Sequence, residues 1–155
     1  MVYRACTEDY EYILKHVVNY DLVFNTEKYS EASHETVSAV LVEAGRMCEE
    51  KLYPLQRVGD LNPATLQNGV VRTSPGFGDG YKAIAEGGWV STSADPEYGG
   101  MGLPLTITTA VNEMMASACL SPTTQSFNDP RSNRSFRKSC LRHDKKYLFA
   151  KAYFW

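Results

Sequence analysis

No run of about 20 apolar residues occurs in the 155-residue chain, so the sequence offers no candidate membrane span. The first residues hold neither the apolar core of a signal peptide nor an Arg/Ser-rich transit pattern, and Glu8, Asp9 and Glu11 argue against both. A cytoplasmic location is the expectation. Cysteine is sparse: Cys6, Cys48, Cys119 and Cys140 show no C-x-x-C spacing, which argues against a zinc or disulfide framework and for reduced structural thiols. Positive charge is scarce over most of the chain. Residues 1–130 carry 8 Lys+Arg against 17 Asp+Glu, a net −9, whereas residues 131–155 carry 8 against 1, a net +7. Such asymmetry marks either a basic tail with an anionic partner or a segment foreign to the fold.

Alternating strand patterns are also lacking, and what is present is helical periodicity. Thr7 can cap a helix whose apolar residues Tyr10, Ile13, Leu14, Val17 and Val18 recur at i, i+3, i+4, i+7 and i+8. His16 lies off that stripe and reads as an exposed side chain rather than a ligand. Residues 19–30 form a mixed connection, with Leu22, Val23 and Phe24 tucked inward. Ser33 offers a cap for the strongest helix, whose Val37, Val40, Leu41, Ala44, Met47, Cys48, Leu52 and Leu55 form one face. Glu49 and Glu50 belong to its solvated side. Pro54 should kink or shift the helix, which is expected to end near Gly59 and Asp60.

Pro63, Asn68-Gly69, Pro75 and Gly76 read as a surface excursion with a tight turn, briefly extended at Val70-Val71. A third helix starts near Gly78 and a fourth follows Pro104, with Ile107, Ala110, Val111, Met114, Met115 and Ala118 on one face. Those methionines read as core filler. The predicted fold class is all-α, an amphipathic helical bundle of about four helices with a long Gly/Pro-rich connection.

That connection, Glu86 to Leu105 (EGGWVSTSADPEYGGMGLPL), organises the rest. Gly87-Gly88 can end one helix through a positive φ, and Pro104 can open the next. Long loops inside compact domains are commonly functional. Trp89 and Tyr98 are expected to be buried and to hold the loop in order.

From Gly88 to Pro104 the pattern G-W-x-x-x-x-x-D-P-E-Y-G-G-x-G-L-P resembles the N-terminal helical domain of acyl-CoA dehydrogenases, most like the branch that includes 3-methylmercaptopropionyl-CoA dehydrogenases. Supporting pieces in the family's order are Tyr3-Arg4-Ala5, residues 54–60 (PLQRVGD), Asn68-Gly69-Val70-Val71 and Pro75-Gly76-Phe77. The resemblance covers roughly residues 1–121 and implies the first of three domains. In the intact family the later domains hold most of the FAD contacts and the carboxylate base, and the substrate is an acyl-CoA. The family's T-E-P flavin signature does not occur in these 155 residues. No residue is therefore assigned a catalytic, cofactor-binding or metal-binding role, and the chain alone is expected to bind no FAD. Without its sister domains the bundle should self-associate through an apolar patch around Met101, Leu103, Ile107 and Met114.

Residues 122–155 leave the family pattern at about Pro122. For Lys146 to Trp155 (KYLFAKAYFW), a permitted codon series shifted by one base reads N-T-Y-L-P-K-L-I-S-G, similar to the family's Y-L-P-K-L-x-S-G. Arg131 to Arg134 permits G-L-T at the matching shift. A one-base frameshift between about Pro122 and Pro130 is thus expected, giving a truncated fragment with a poorly ordered tail. The alternative is a free-standing interaction module. Its cations Arg131, Arg134, Arg137, Lys138, Arg142, Lys145, Lys146 and Lys151 and its rings Phe136, Tyr147, Phe149, Tyr153, Phe154 and Trp155 would grip nucleic acid or an anionic surface.

Overall fold

A computed structural model describes residues 2–30, 32–96 and 99–127, with the side chains of residues 125–127 left aside. Helices dominate. α1 (Thr7–Tyr12) runs into a π turn (Ile13–Val17), followed by the short α2 (Asp21–Phe24) and a 3₁₀ turn (Glu27–Tyr29). α3 (His34–Met47) passes through a second π turn (Cys48–Leu52) into α4 (Tyr53–Leu61). Strands β1 (Thr65–Gln67) and β2 (Val70–Arg72) precede α5 (Phe77–Glu86), a 3₁₀ turn (Trp89–Ser91), α6 (Leu105–Ala118) and α7 (Leu120–Phe127).

The expectation of a helical bundle holds, but not the all-α class. The chain folds Thr65–Arg72 into an antiparallel hairpin with Leu66 opposite Val71 and Gln67 opposite Val70. Its turn is Asn68-Gly69, both at positive φ (51° and 77°), the geometry that matches the twist of paired strands. All six strand residues are exposed, so no inward-outward alternation marked them as strands. The helices also exceed four among the described residues, because α2 and α7 are additional and α4 forms a separate segment after the π turn.

α3 forms where its cap and spacing place it. Ser33 is extended (φ −115°), and its Oγ accepts from the Thr36 N–H at 3.2 Å, satisfying one of the helix's open donors. Val37, Leu41, Ala44, Cys48 and Leu52 are buried along one face that continues through the π turn. That turn ends beside Pro54: the Tyr53 N–H reaches back five residues to the Cys48 carbonyl, and proline then occupies the first turn of α4, where a missing donor costs least. α4 ends at Leu61, slightly beyond the expected Gly59-Asp60 stop.

α6 packs along α3 and buries Ile107, Ala110, Val111, Met114, Met115 and Ala118, the residues its periodicity selected. Tyr3 ties the N-terminal segment to this pair by donating to the Met114 carbonyl at 3.0 Å and stacking on Tyr53 at 5.8 Å.

Four local expectations are corrected. Thr7 is the first residue of α1, and Cys6 holds the N-cap position without a side-chain bond. Of the α1 stripe only Leu14 is buried, while Ile13, Val17 and Val18 are exposed. The π turn lowers the angle per residue, so the apolar spacing counted for an ideal helix no longer falls on one face. Leu22 is likewise exposed, while Phe24 turns inward against the Tyr20 and His34 rings. Finally, Leu103, Ile107 and Met114 are buried within the bundle, so no patch forms around them; Met101 alone of the four is exposed. α6 is central, flanked by α3 and α7, and its apolar face is consumed internally.

Candidate functional site

The Gly88–Pro104 connection is built as a folded-back loop over α6. It is Gly88, at φ +73°, rather than Gly87, at −73°, that takes the left-handed conformation and turns the chain out of α5. Trp89, Val90, Ser91 and Thr92 are then buried in sequence. The return arm bonds to the outgoing arm: the N–H groups of Met101, Gly102 and Leu103 donate to the carbonyls of Ser91, Ala94 and Thr92 at 3.2, 2.9 and 2.9 Å. Gly100 lies so close to the Ala94 carbonyl that a Cβ there would strike it. The Thr92 hydroxyl, wholly buried, donates to Thr108 at 2.9 Å and fastens the loop to α6. Trp89 thus lies where the sequence placed it, whereas Tyr98 lies outside the described residues.

Between this loop and the Glu27–Ala32 stretch is a cavity of about 550 Å³, polar in character, to which Lys28, Ser30, Ser93 and Asp95 contribute. It presents hydrogen-bonding groups on a backbone fixed by its own ladder, which suits positioning better than proton transfer.

A second cluster was not visible in the sequence. The Tyr20 hydroxyl meets His34 Nδ1 at 2.6 Å, and His34 Nε2 meets Asp21 Oδ1 at 2.6 Å. Tyr20 and His34 border a groove of about 900 Å³ between α1 and α3 that also holds Glu8, Glu11, Lys15, Glu35 and Glu43. A Tyr–His–Asp chain has the connectivity of a proton relay. Tyr20, however, is 4% exposed and burial raises its pKa from the ordinary value, so its oxygen is neither accessible nor readily ionised. The cluster instead clamps α2 to the start of α3. The signal was hard to find because Tyr20 and His34 lie fourteen residues apart, joined only by the fold.

A third groove, about 450 Å³, separates α1 and its π turn from α6. Its floor is apolar (Ile13, Leu14, Val18, Ala110), and Asp9 and Glu113 stand in its lining with the exposed Cys6. A further cavity of about 540 Å³ lies by Asp60, Ser74 and Phe77. Among the described residues no three His, Cys, Asp or Glu side chains gather as a metal site, and no helix is long and apolar enough to cross a membrane.

No family model matches the chain. Over 121 residues, 78% of its length, it is 36% identical to 3-methylmercaptopropionyl-CoA dehydrogenase of Ruegeria pomeroyi. It spans 21% of that relative's length. The resemblance carried by the Gly88–Pro104 motif is thereby borne out: through this stretch the chain is related to the acyl-CoA dehydrogenase family.

Proposed function

We propose that the chain is the N-terminal helical portion of an FAD-dependent acyl-CoA dehydrogenase, located in the cytoplasm. Residues 1–121 would be the family's first bundle and residues 122–155 a segment outside its pattern. The observation that carries this is the 36% identity over 121 residues to a dehydrogenase of which the chain spans a fifth. In such an enzyme FAD accepts a hydride from the acyl β-carbon while a carboxylate base removes the α-proton, giving an enoyl-CoA. These residues would supply scaffold to that reaction.

The grooves described above do not fit FAD, whose diphosphate needs cations or clustered N–H donors. The α1–α3 groove sets Glu8, Glu11, Glu35 and Glu43 around Lys15, and the α1–α6 groove has Asp9 and Glu113 without Lys or Arg. The loop cavity offsets Lys28 with Glu27 and Asp95, and the cavity by Phe77 offers Asp60. In none of them do Lys and Arg outnumber the carboxylates, which supports assigning the flavin contacts to other parts of the enzyme.

Refolding the 155-residue chain with excess FAD, followed by gel filtration, should give a colourless 17.3 kDa product that reduces no dye acceptor with an acyl-CoA. Stoichiometric flavin co-eluting with the chain would overturn the assignment. A one-base frameshift as the origin of residues 122–155, which includes residues 128–155 outside those described, is part of the proposal. Sequencing the gene tests it, since codons for Lys146 to Trp155 that do not spell Y-L-P-K-L in the shifted frame would remove it.

A further inference from the structure

We infer that the groove between α1 and α6 is a docking site for the chain's own basic segment around Cys140. This goes beyond the dehydrogenase assignment and holds whatever the origin of residues 122–155, because only their side chains enter.

Ile13 and Val18 keep 47% and 40% of their surface exposed, although both border a concavity already floored by Leu14 and Ala110. Asp9 and Glu113 add negative charge to that lining without a Lys or Arg to offset it. The groove therefore suits an occupant that is apolar in the middle and cationic at its flanks. Residues 136–142 (FRKSCLR) have that composition, with Phe136 and Leu141 for the floor and Arg137, Lys138 and Arg142 for the carboxylates.

The wider charge distribution acts in the same direction, net −9 over residues 1–130 against +7 over residues 131–155. Tethering adds to it, since a segment on a short link is held at an effective concentration in the millimolar range, so individually weak contacts suffice. The nine residues from the end of α7 at Phe127 to Phe136 reach up to about 30 Å. α6, which carries one wall of the groove and packs against α7, is 14 residues and about 21 Å long, so the linker is longer than the helix it must run along.

Two native cysteines make the docking measurable. Cys6 is exposed and lines the groove, Cys140 lies in the proposed occupant, and Cys48 and Cys119 are buried. Full-length monomer is treated with a short bis-maleimide, and the bridged peptides are mapped. The expected product at low salt is an intramolecular Cys6–Cys140 bridge. Its yield should fall about fivefold in roughly 1 M NaCl, where the screening length drops to about 3 Å. The Asp9→Asn/Glu113→Gln variant should show the same fall with unchanged helical circular dichroism. Should it fail to fold, Arg137→Ser/Lys138→Ser/Arg142→Ser reads out the same loss without touching the bundle. Bridges found only between molecules, Cys140 modified without a bridge to Cys6, or a yield indifferent to salt would each overturn the docking.

Discussion

Cys48 has no exposed surface, and burial pushes its thiol up to about 12, with the Glu49 carboxylate adding to the shift. At pH 8 about one Cys48 in 10⁴ is then a thiolate, the form that reacts. Iodoacetamide at pH 8 should modify exposed Cys6 and leave Cys48 and Cys119 intact until the protein unfolds; mass mapping of the native and urea-treated forms checks this. Tyr10 is also pushed up to about 12, by burial first and then by Glu113. Both groups are neutral in the fold and ionise more readily once unfolded. Their stabilisation is complete below their ordinary values and is lost as pH rises towards 12. The urea midpoint should therefore hold near pH 8 and fall steadily above about pH 9, with a smaller fall in Cys48→Ala. A midpoint unchanged between pH 8 and pH 11 would contradict the burial of both groups. Helical spacing alone put Cys48 on the core face that runs from α3 into the π turn, because a thiol packs there like any small apolar group. The His34 clamp had no such signal, since its partners come from a separate helix and a bend.

At the scale of elements, the loop between α5 and α6 is held by its own backbone, and Gly100 is the position where its two arms touch. Any Cβ there meets the Ala94 carbonyl and Cβ, so Gly100→Ala must push the arms apart. A cost of about 1–3 kcal/mol is expected. Hydrogen exchange gives a sharper readout than a melting curve. The amides of Met101, Gly102 and Leu103 should be protected in the native chain and lose that protection in Gly100→Ala, while α3 amides keep theirs. Rapid exchange of these three amides in the unmutated protein would show that the loop is not ordered as described. Motif residues made this loop legible in the sequence: paired glycines, Trp89 and the proline that opens α6. Two other features were not. A π turn is a local change of hydrogen-bond register that no side-chain pattern announces, and it misdirected the α1 stripe at Ile13 and Val17. Of the hairpin, the Asn68-Gly69 turn and the extended Val70-Val71 were legible, but the strand pairing was not, because it stands clear of the core and strand alternation appears only where one face is buried.

For the molecule as a whole, the apolar surface lies elsewhere than the sequence suggested, and any self-association must follow it. The apolar face of α6 is buried, but the hairpin leaves Leu66, Val70 and Val71 between 51% and 72% exposed. Leu66 and Val71 sit directly opposite each other, which places them on one face of the ribbon. A two-stranded ribbon is marginal by itself, and each of its strands has an outer edge with open backbone groups. Burying one such side chain fully contributes about 1.5–3 kcal/mol, so a partner covering this face gains enough to populate dimers at high protein concentration. Sedimentation velocity should show association growing with concentration for the native chain. Leu66→Thr/Val71→Thr should shift it towards monomer, with helical content unchanged and stability altered by no more than about 0.5 kcal/mol, since neither residue contributes to the core. The control is Ile107→Thr, a change at the position first expected to lie in the sticky patch. There a hydroxyl enters a fully buried site, so it should lower the melting temperature by several degrees and increase aggregation instead of relieving it. If the hairpin variant associates as strongly as the native chain, the contact lies on another surface, and the exposed Val17 and Leu22 would be the next to replace.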